Sequence, residues 1–134
     1  MSHNWRKIEQ GDYTMLQRWW DDWGWETSPT LSMLPQTGVL VYDKEIGTPL
    51  YAGFLYYTGT TIAWMEFVVS NKDAAIKQRK GALNYLVEVF SVMAKNNGVE
   101  MIFTSTVLPA FVNSLKKCDF VVGDVNNTQL IKKL

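Results

Sequence analysis

The sequence predicts a mixed α/β fold, and three observations lead to it. Three strand-like segments follow one another at hairpin spacing between residues 38 and 70, which predicts an antiparallel meander. A long amphipathic stretch begins near residue 77, and a further apolar β run follows it. A short strand and a Trp-rich helix precede the meander. We therefore expect a twisted, mostly antiparallel sheet with helices on both faces.

The first half of the chain begins with partial alternation of apolar and polar side chains over residues 5–8, which predicts a short strand. Asp12 is expected to cap the next helix, which ends at Gly24. Residues 26–37 contain two prolines and suit a loop or a broken short helix. The apolar residues of the helix recur at helical spacing: Met15, Leu16, Trp19, Trp20 and Trp23. The meander strands are predicted over residues 38–42, 50–57 and 61–70, which are rich in Val, Tyr, Thr and Trp.

The second half of the chain predicts one long helix from about Lys77 to Asn97, with Gly98 suited to its end. Its apolar stripe consists of Leu83, Leu86, Val87, Phe90, Met93 and Ala94. A short strand is expected over residues 99–104, then a helix over residues 109–117 with a proline in its first turn. Two last strands are predicted, over residues 120–123 and 129–132.

Composition narrows the classes of protein to be considered. A chain of 134 residues is expected to form one domain over residues 1–134. Thirteen basic and thirteen acidic residues cancel, which argues against nucleic-acid binding. No apolar run is long enough to span a membrane, and the first residues lack the apolar core of a signal peptide. With Cys118 as the one cysteine, neither an intrachain disulfide nor a metal site is expected, and a cytoplasmic location is predicted.

The segment from the fourth predicted strand into the long helix resembles the GCN5-related N-acetyltransferases (GNAT proteins). The strand reads Ala-Trp-Met-Glu-Phe-Val-Val over residues 63–69, and the following segment reads Gln-Arg-Lys-Gly-Ala-Leu over residues 78–83. The family pattern is Arg/Gln-x-x-Gly-x-Gly/Ala, so Gln78 and Gly81 match whereas Leu83 departs from it. The element order resembles the family over almost the whole chain. The Trp-rich first helix is similar to that of small GNAT-like proteins encoded by bacteriophages.

The resemblance implies acetyl transfer from acetyl-CoA to a primary amine of a small molecule or protein. It places the pyrophosphate of acetyl-CoA on Gln78, Arg79, Lys80, Gly81 and Ala82. General physical chemistry also favours a phosphate site at this position, because a helix N-terminus offers free N–H groups and glycine lets phosphate approach the backbone. The basic run, which also includes Lys77, is expected to open the helix against its dipole, which favours a bound anion.

The same resemblance assigns the pantetheine arm to backbone groups of Phe67, Val68 and Val69, and it makes Glu66 a candidate base. Strand alternation puts Glu66 on one face with Trp64 and Val68. Desolvation there is expected to raise its pKa towards that of a useful general base. The alternative is a glutamate at a sheet edge or in an ion pair.

One position departs from the family. Many members carry a tyrosine on the last helix that protonates the leaving thiolate, and Leu115 stands there in this chain. Leucine cannot donate a proton, so either the thiolate leaves unassisted or activity has been lost. The resemblance therefore implies an enzyme without deciding whether catalysis survives.

The tryptophan cluster suggests an acceptor site. Trp19 and Trp20 are adjacent and are not expected to face inward together, so at least one tryptophan of the cluster should be exposed. In GNAT proteins the segment after the first helix walls the acceptor site, which makes Trp23 and Trp25 candidate substrate-binding residues. His3 is expected to be an ordinary surface residue near a mobile terminus.

Two other function classes stay open at this point. One is a catalytically degenerate GNAT-like protein that binds a protein partner through its aromatic surface. The other is a stacking platform for single-stranded nucleic acid, which the zero net charge disfavours. A homodimer is compatible with the sequence, and neither the acceptor amine nor the acyl group can be read from it.

Overall fold

Five strands form one sheet in the computed structural model, which describes residues 2–134. The sheet order is the chain order, and the first three pairings are antiparallel whereas β4 and β5 are parallel. The strands are β1 (His3–Lys7), β2 (Gly38–Asp43), β3 (Pro49–Tyr57), β4 (Ile62–Ser70) and β5 (Met101–Phe103). The predicted mixed, mostly antiparallel sheet is confirmed.

Four α-helices accompany the sheet: α1 (Tyr13–Asp22), α2 (Ile76–Arg79), α3 (Ala82–Asn96) and α4 (Pro109–Lys116). The prediction of one helix from Lys77 to Asn97 is wrong at its start, where two helices meet. Gly81 separates them with a φ of +80°, a left-handed conformation that glycine adopts without steric cost. No helix within residues 2–134 is long and apolar enough to cross a membrane.

Two hydrophobic clusters show that helices cover both faces of the sheet, as predicted. On one face α1 packs through Leu16, Trp19 and Trp20 against a set from β2, β3 and β4 that comprises Leu40, Ala52, Phe54 and Val69. On the other face α3 and α4 pack against β2, β3 and β4, with Leu86, Phe90 and Leu115 among the buried residues. Phe54 and Leu55 are adjacent and belong to opposite clusters, as strand alternation requires.

Trp19 and Trp20 are both buried, at 3% and 0% exposure, so the prediction that they cannot both face inward is wrong. Neighbouring helical positions are about 100° apart, and an apolar face of that width accommodates both. The segment after α1 also folds back on the helix, because the Tyr13 hydroxyl donates to the Pro29 carbonyl at 2.7 Å. The exposed member of the cluster is Trp23, at 43%.

Asp12 precedes α1, but its side chain makes no cap hydrogen bond to that helix. Its backbone is already helical, with φ −80° and ψ −12°, whereas a capping side chain usually projects from an extended residue. The carboxylate instead accepts from the Glu9 backbone N–H at 2.8 Å and pairs with Arg6 at 2.7 Å. It therefore closes the 3₁₀ turn over Gln10–Asp12.

The parallel pairing of β4 and β5 is short, and the two strands diverge after it. Their parallel pairing ends at Trp64 and Phe103, and the Thr104 hydroxyl then donates to the Met65 carbonyl at 2.7 Å. Beyond that contact β4 continues to Ser70 without a partner on this side. The second half of β4 therefore has a free backbone edge on the β5 side, and the space along this edge is the candidate cleft.

The last two predicted strands are wrong. Residues 120–123 and 129–132 form no strand, and residues 121–134 are exposed throughout. An extended segment becomes a strand only when a neighbouring strand satisfies its backbone groups. This segment has no such neighbour within the described chain.

Candidate active site

A β-bulge interrupts β4 immediately after Glu66. Ala52 pairs with Val69 and Phe54 pairs with Glu66, so Phe67 and Val68 together face Gly53 alone. Phe67 has a φ of +56°, which is unusual for a residue with a side chain. The bulge leaves backbone groups outside the ladder at the point where β4 and β5 diverge.

The bulge also reverses the alternation of side chains, so the predicted faces are wrong beyond Glu66. Phe67 and Val69 pack with the α1 cluster, whereas Val68 packs with the α3 cluster. The Trp20 indole N–H donates to the Phe67 carbonyl at 3.4 Å, which ties the bulge to α1. A strict period of two, applied to the sequence, cannot detect an inserted residue.

Gly53 lets α3 pack closely over the bulge. A Cβ built on Gly53 would lie 3.1 Å from side-chain atoms of both Leu86 and Val68, and 3.3 Å from Phe90. Because Gly53 has no side chain, α3 can lie this close to the bulge.

Glu66 is half-buried on the α1 face, next to the bulge. Burial alone raises the pKa of its carboxyl, and within residues 2–134 no ion pair reaches it. Glu66 lies on the part of β4 that has no partner on the β5 side, so it is at a local sheet edge, but no salt bridge explains it. Its carboxylate is available to a proton or to a bound cation.

Tyr56 lies beside Glu66 on β3, and sequence reasoning did not single it out. Its hydroxyl donates to the Met33 carbonyl at 2.8 Å and so holds the segment after α1 against the sheet. Burial, with the Glu66 charge adding to it, raises the pKa of Tyr56 to about 12. Tyr56 therefore stays protonated and acts as a wall of the site.

An aromatic floor, formed by Trp64 and Phe103, extends from Glu66 towards β5. The two residues pair in register, and their ring centroids are 5.2 Å apart. Trp64 is 38% exposed and Phe103 is 39% exposed, so both rings contact solvent. Trp64 shares a face with Glu66 because it lies two residues away on the same strand. This spacing is the sequence signal that could have predicted the floor.

The N-terminus of α3 lies at the far end of the connection from β4. Gly81 is its N-cap and offers no side chain to the free N–H groups, and the first helical hydrogen bond joins the Tyr85 N–H to the Gly81 carbonyl. The N–H groups of residues 82–84 thus lack helical acceptors. Gln78 uses its side-chain oxygen to accept from the Ala75 N–H at 3.1 Å, so it caps α2.

The basic residues of this loop do not open α3, which corrects the sequence interpretation. Lys77 and Arg79 lie in the last turn of α2, where they complement the helix dipole. Arg79 donates from Nε to the Ala74 carbonyl at 3.2 Å. The positive charge still flanks the start of α3, but it involves no conflict with a dipole.

The two candidate acceptor-site tryptophans have different surroundings. Trp23 donates to the Ser70 carbonyl at 2.9 Å, and its ring lies below the Lys72 ammonium at 4.9 Å and the Arg79 guanidinium at 5.9 Å. It therefore supports the basic loop. Trp25 is partly buried, and its ring centroid lies 6.3 Å from that of Phe67, beside the bulge.

Leu115 and His3 also have defined places. Leu115 is 4% exposed within the α3 cluster, so the side chain at this position points into the core. His3 belongs to β1 and is half-buried, with its ring 5.7 Å from Tyr85. Its Cε1 lies 3.4 Å from where a Gly81 Cβ would be, so the expectation of a surface histidine is wrong.

Comparison with known proteins finds matches for the structure but none for the sequence. No protein-family model matches the sequence, and no curated protein matches it either. Solved structures do match. Ard1 from Thermoplasma volcanium superposes with a TM-score of 0.73 at 14% identity, over 92% of this chain and 86% of that chain. The chain has the GNAT fold.

Two further solved structures with the GNAT fold cover most of this chain. Glucosamine-6-phosphate N-acetyltransferase from Arabidopsis thaliana matches with a TM-score of 0.68 at 12% identity, over 98% of this chain and 100% of that chain. Rv2747 from Mycobacterium tuberculosis, solved with CoA and NLQ, matches with a TM-score of 0.61 at 14% identity, over 84% and 70% of the two chains.

Proposed function

We propose that this protein is an acetyl-CoA-dependent N-acetyltransferase that acts on a primary amine. The observation that carries the proposal is Glu66, a half-buried carboxylate without an ion pair, placed beside a bulge where β4 and β5 diverge. The GNAT fold and a fold neighbour solved with CoA support the choice of co-substrate.

Acetyl-CoA would enter along the cleft beside β4. The free N–H groups at the start of α3 suit its pyrophosphate, and Gly81 places no side chain of its own between them and the His3 ring. Lys72, Lys77 and Arg79 add positive charge on the same loop. On the β5 side, where this part of β4 has no strand partner, the backbone of Phe67, Val68 and Val69 suits the amide groups of the pantetheine arm. Gln78 would contribute by holding α2 in place.

Glu66 would take a proton from the attacking amine. Acetyl-CoA supplies the acetyl group as a thioester. The amine nitrogen forms a bond to the acetyl carbon, the carbon–sulfur bond breaks, and the amine proton passes to Glu66 and then to solvent. A backbone N–H at the bulge would stabilise negative charge on the acetyl oxygen. With Leu115 in the core, the thiolate would leave without an acid from α4 and take its proton from water.

The acceptor amine would carry an apolar or aromatic group. Glu66 at one end and the aromatic floor of Trp64 and Phe103 at the other match a molecule with a cationic amine and a flat apolar body. Trp25 stays a candidate for the same surface because it lies beside the bulge. Trp23, whose ring lies under the loop cations, is less suited to that role.

A second candidate function is a degenerate GNAT-fold protein that binds a protein partner. One observation favours it: the buried Leu115 leaves α4 without a proton donor at the position where many family members have a tyrosine. The exposed aromatic floor would then be a docking surface.

A transfer assay separates the two functions. Purified protein is incubated with acetyl-CoA and a panel of amines that includes aromatic, aliphatic and aminoglycoside members, and released thiol is measured. We expect thiol release with an aromatic or apolar amine, and a loss of roughly 10²-fold in Glu66→Gln, the scale of one general base. Binding of acetyl-CoA without transfer to any amine would instead support the degenerate function.

A further inference from the structure

Trp23 gathers two cations where β4 ends and the loop towards α3 begins. The Lys72 ammonium lies 4.9 Å from the centroid of its ring, and the Arg79 guanidinium lies 5.9 Å from it. The indole N–H donates to the Ser70 carbonyl at 2.9 Å, which fixes the ring to the last residue of β4. The face of a tryptophan ring attracts cations at such distances. We call Trp23, Lys72 and Arg79 the cation cluster.

The two charges of the cation cluster have no carboxylate partner within the described chain. The neighbouring carboxylates pair with another residue, because Arg18 lies 2.7 Å from Asp73 and 3.8 Å from Asp22. Lys72 and Arg79 each donate to a backbone carbonyl at 3.2 Å. Two positive charges held close together without a counter-ion favour a bound anion.

The cation cluster borders the start of α3. Arg79 is the last residue of α2, and Gly81, two residues further on, is the N-cap of α3. Backbone N–H groups without helical acceptors and side-chain cations therefore lie on the same short segment. Trp23 follows the end of α1, and its ring brings together two cations from opposite ends of the segment between β4 and Gly81.

We infer that Trp23 is a positioning residue, which orders Lys72 and Arg79 so that they bind a phosphate group of acetyl-CoA. The inference rests on the proposed function. Long cationic side chains lose rotamer freedom when they bind a ligand, and an aromatic face that already orders them lowers this cost. The planar guanidinium of Arg79 suits two phosphate oxygens, and the Lys72 ammonium adds a compact charge.

The surroundings of the two tryptophans agree with this assignment. The Trp23 ring is 43% exposed and Lys72 is exposed, so a phosphate can reach the cations from solvent. Trp25 instead packs with the α1 cluster beside the bulge. Trp23 therefore serves the acetyl-CoA end of the site, whereas Trp25 stays a candidate for the amine end.

The test is a double-mutant cycle on acetyl-CoA affinity, measured by calorimetry with the full chain. Trp23→Leu removes the ring and should weaken binding roughly fivefold, the scale of one cation–π contact. The variant Lys72→Gln/Arg79→Gln removes both charges and should weaken binding further. In the triple variant the loss of the ring should add almost nothing, because Trp23 acts through the two cations.

A second variant separates the ring of Trp23 from its hydrogen bond. Trp23→Phe and Trp23→Leu both lose the N–H donor to Ser70, but phenylalanine keeps an aromatic face and should keep most of the affinity. Trp5→Leu is the matched control, because Trp5 is 36% exposed on β1 and its ring has no cation over it in the described chain. Circular dichroism checks the fold, and Trp23→Gln replaces Trp23→Leu if that variant does not fold.

The same titrations with acetyl-dephospho-CoA, which lacks the 3′-phosphate, identify the phosphate that is bound. A fivefold loss in Trp23→Leu that persists with this ligand assigns the cation cluster to the pyrophosphate. A loss that disappears assigns it to the 3′-phosphate. Either result supports the inference.

Two results would overturn the inference. Equal affinity of Trp23→Leu and wild type would mean that the cations need no positioning. A loss that adds in full to that of Lys72→Gln/Arg79→Gln would mean that Trp23 acts through another contact. In both cases the wild type still binds acetyl-CoA and the proposed function stands, whereas a wild type that binds no acetyl-CoA would overturn both.

Discussion

At the residue scale, the proposed transfer depends first on Glu66. Glu66→Gln keeps the size of the side chain and removes its basicity, so turnover should fall roughly 10²-fold. Acetyl-CoA affinity should stay unchanged, because the carboxylate is assigned to the amine. Steady-state kinetics with calorimetry measure both, and Glu88→Gln on the exposed side of α3 is the matched control. Equal loss in both variants would contradict the assignment.

The stability of the same variant gives an independent readout. Burial raises the pKa of Glu66 above its ordinary value, so the folded state holds the proton more tightly than the unfolded state. The contribution of Glu66 to stability is therefore present at low pH and is lost as pH rises through the folded pKa. Glu66→Gln should match or exceed the wild-type melting temperature at pH 7. A clear decrease in melting temperature would indicate a structural glutamate.

The pH dependence of turnover follows from the same shift. A general base works only when it is deprotonated, so kcat/KM, which reports the free enzyme, should rise with pH through the raised pKa of Glu66. The rising limb should therefore lie above the ordinary glutamate value of 4.5. In Glu66→Gln this limb should vanish from the kcat/KM profile. A profile that is the same in both proteins would assign the titration to another group.

At the element scale, the start of α3 is tested by Gly81→Asp. The new carboxylate would meet the pyrophosphate and its Cβ would occupy the approach to the backbone, so acetyl-CoA binding should be lost. Gly98→Asp at the other end of α3 is the matched control, because Gly98 has nearly the same φ, +79° against +80°. It carries the same backbone strain without the anion site. Equal binding by both variants would place the ligand elsewhere.

The packing of α3 over the bulge is tested by Gly53→Ala. The added methyl group would lie 3.1 Å from Leu86 and Val68, which is tighter than ordinary contact. Overpacking of this kind lowers the free energy of unfolding by about 1–3 kcal/mol. Each kcal/mol lowers the melting temperature by about 3–6 °C. Gly11→Ala, with no atom within 4 Å of its Cβ, should have little effect. An unchanged melting temperature in Gly53→Ala would mean that α3 shifts freely.

The elements differ in how far the sequence could predict them. The meander strands and α4 follow from local patterns and lie where the sequence places them, within a residue or so. The break at Gly81 and the bulge at Phe67 depend on backbone angles that no periodicity reveals. Trp19 and Trp20 are both buried because the segment after α1 folds over them, and that is a tertiary contact.

For the same reason, the sequence predicts some residues of the candidate site and misses others. Glu66 lies within β4 and Gly81 precedes α3, and local sequence patterns predict both that strand and that helix. Tyr56 and Phe103 come from other strands and join Glu66 only through sheet pairing. Composition also predicts strands over residues 120–123 and 129–132, where the structure has none. A strand needs a neighbouring strand to pair with, and composition does not reveal whether one is present.

At the scale of the whole molecule, the splay of β4 and β5 connects the two ends of the site. In the proposed function, the start of α3 would hold the phosphate at one end, and Glu66 with the aromatic floor would hold the amine at the other. Glu66 and Gly81 line neither of two shallow cavities of about 200 and 240 Å³ that border β1. A long ligand such as acetyl-CoA suits the open cleft better than an enclosed pocket.

The most direct measurement of the central claim is a calorimetric titration of acetyl-CoA into the purified wild-type protein. We expect saturable binding of one molecule per chain. Affinity should fall as salt increases, because part of the attraction is between the pyrophosphate and Lys72, Lys77 and Arg79. The absence of saturable heat from a folded protein would contradict the account, because neither acetyl transfer nor the role of Glu66 stands without the co-substrate.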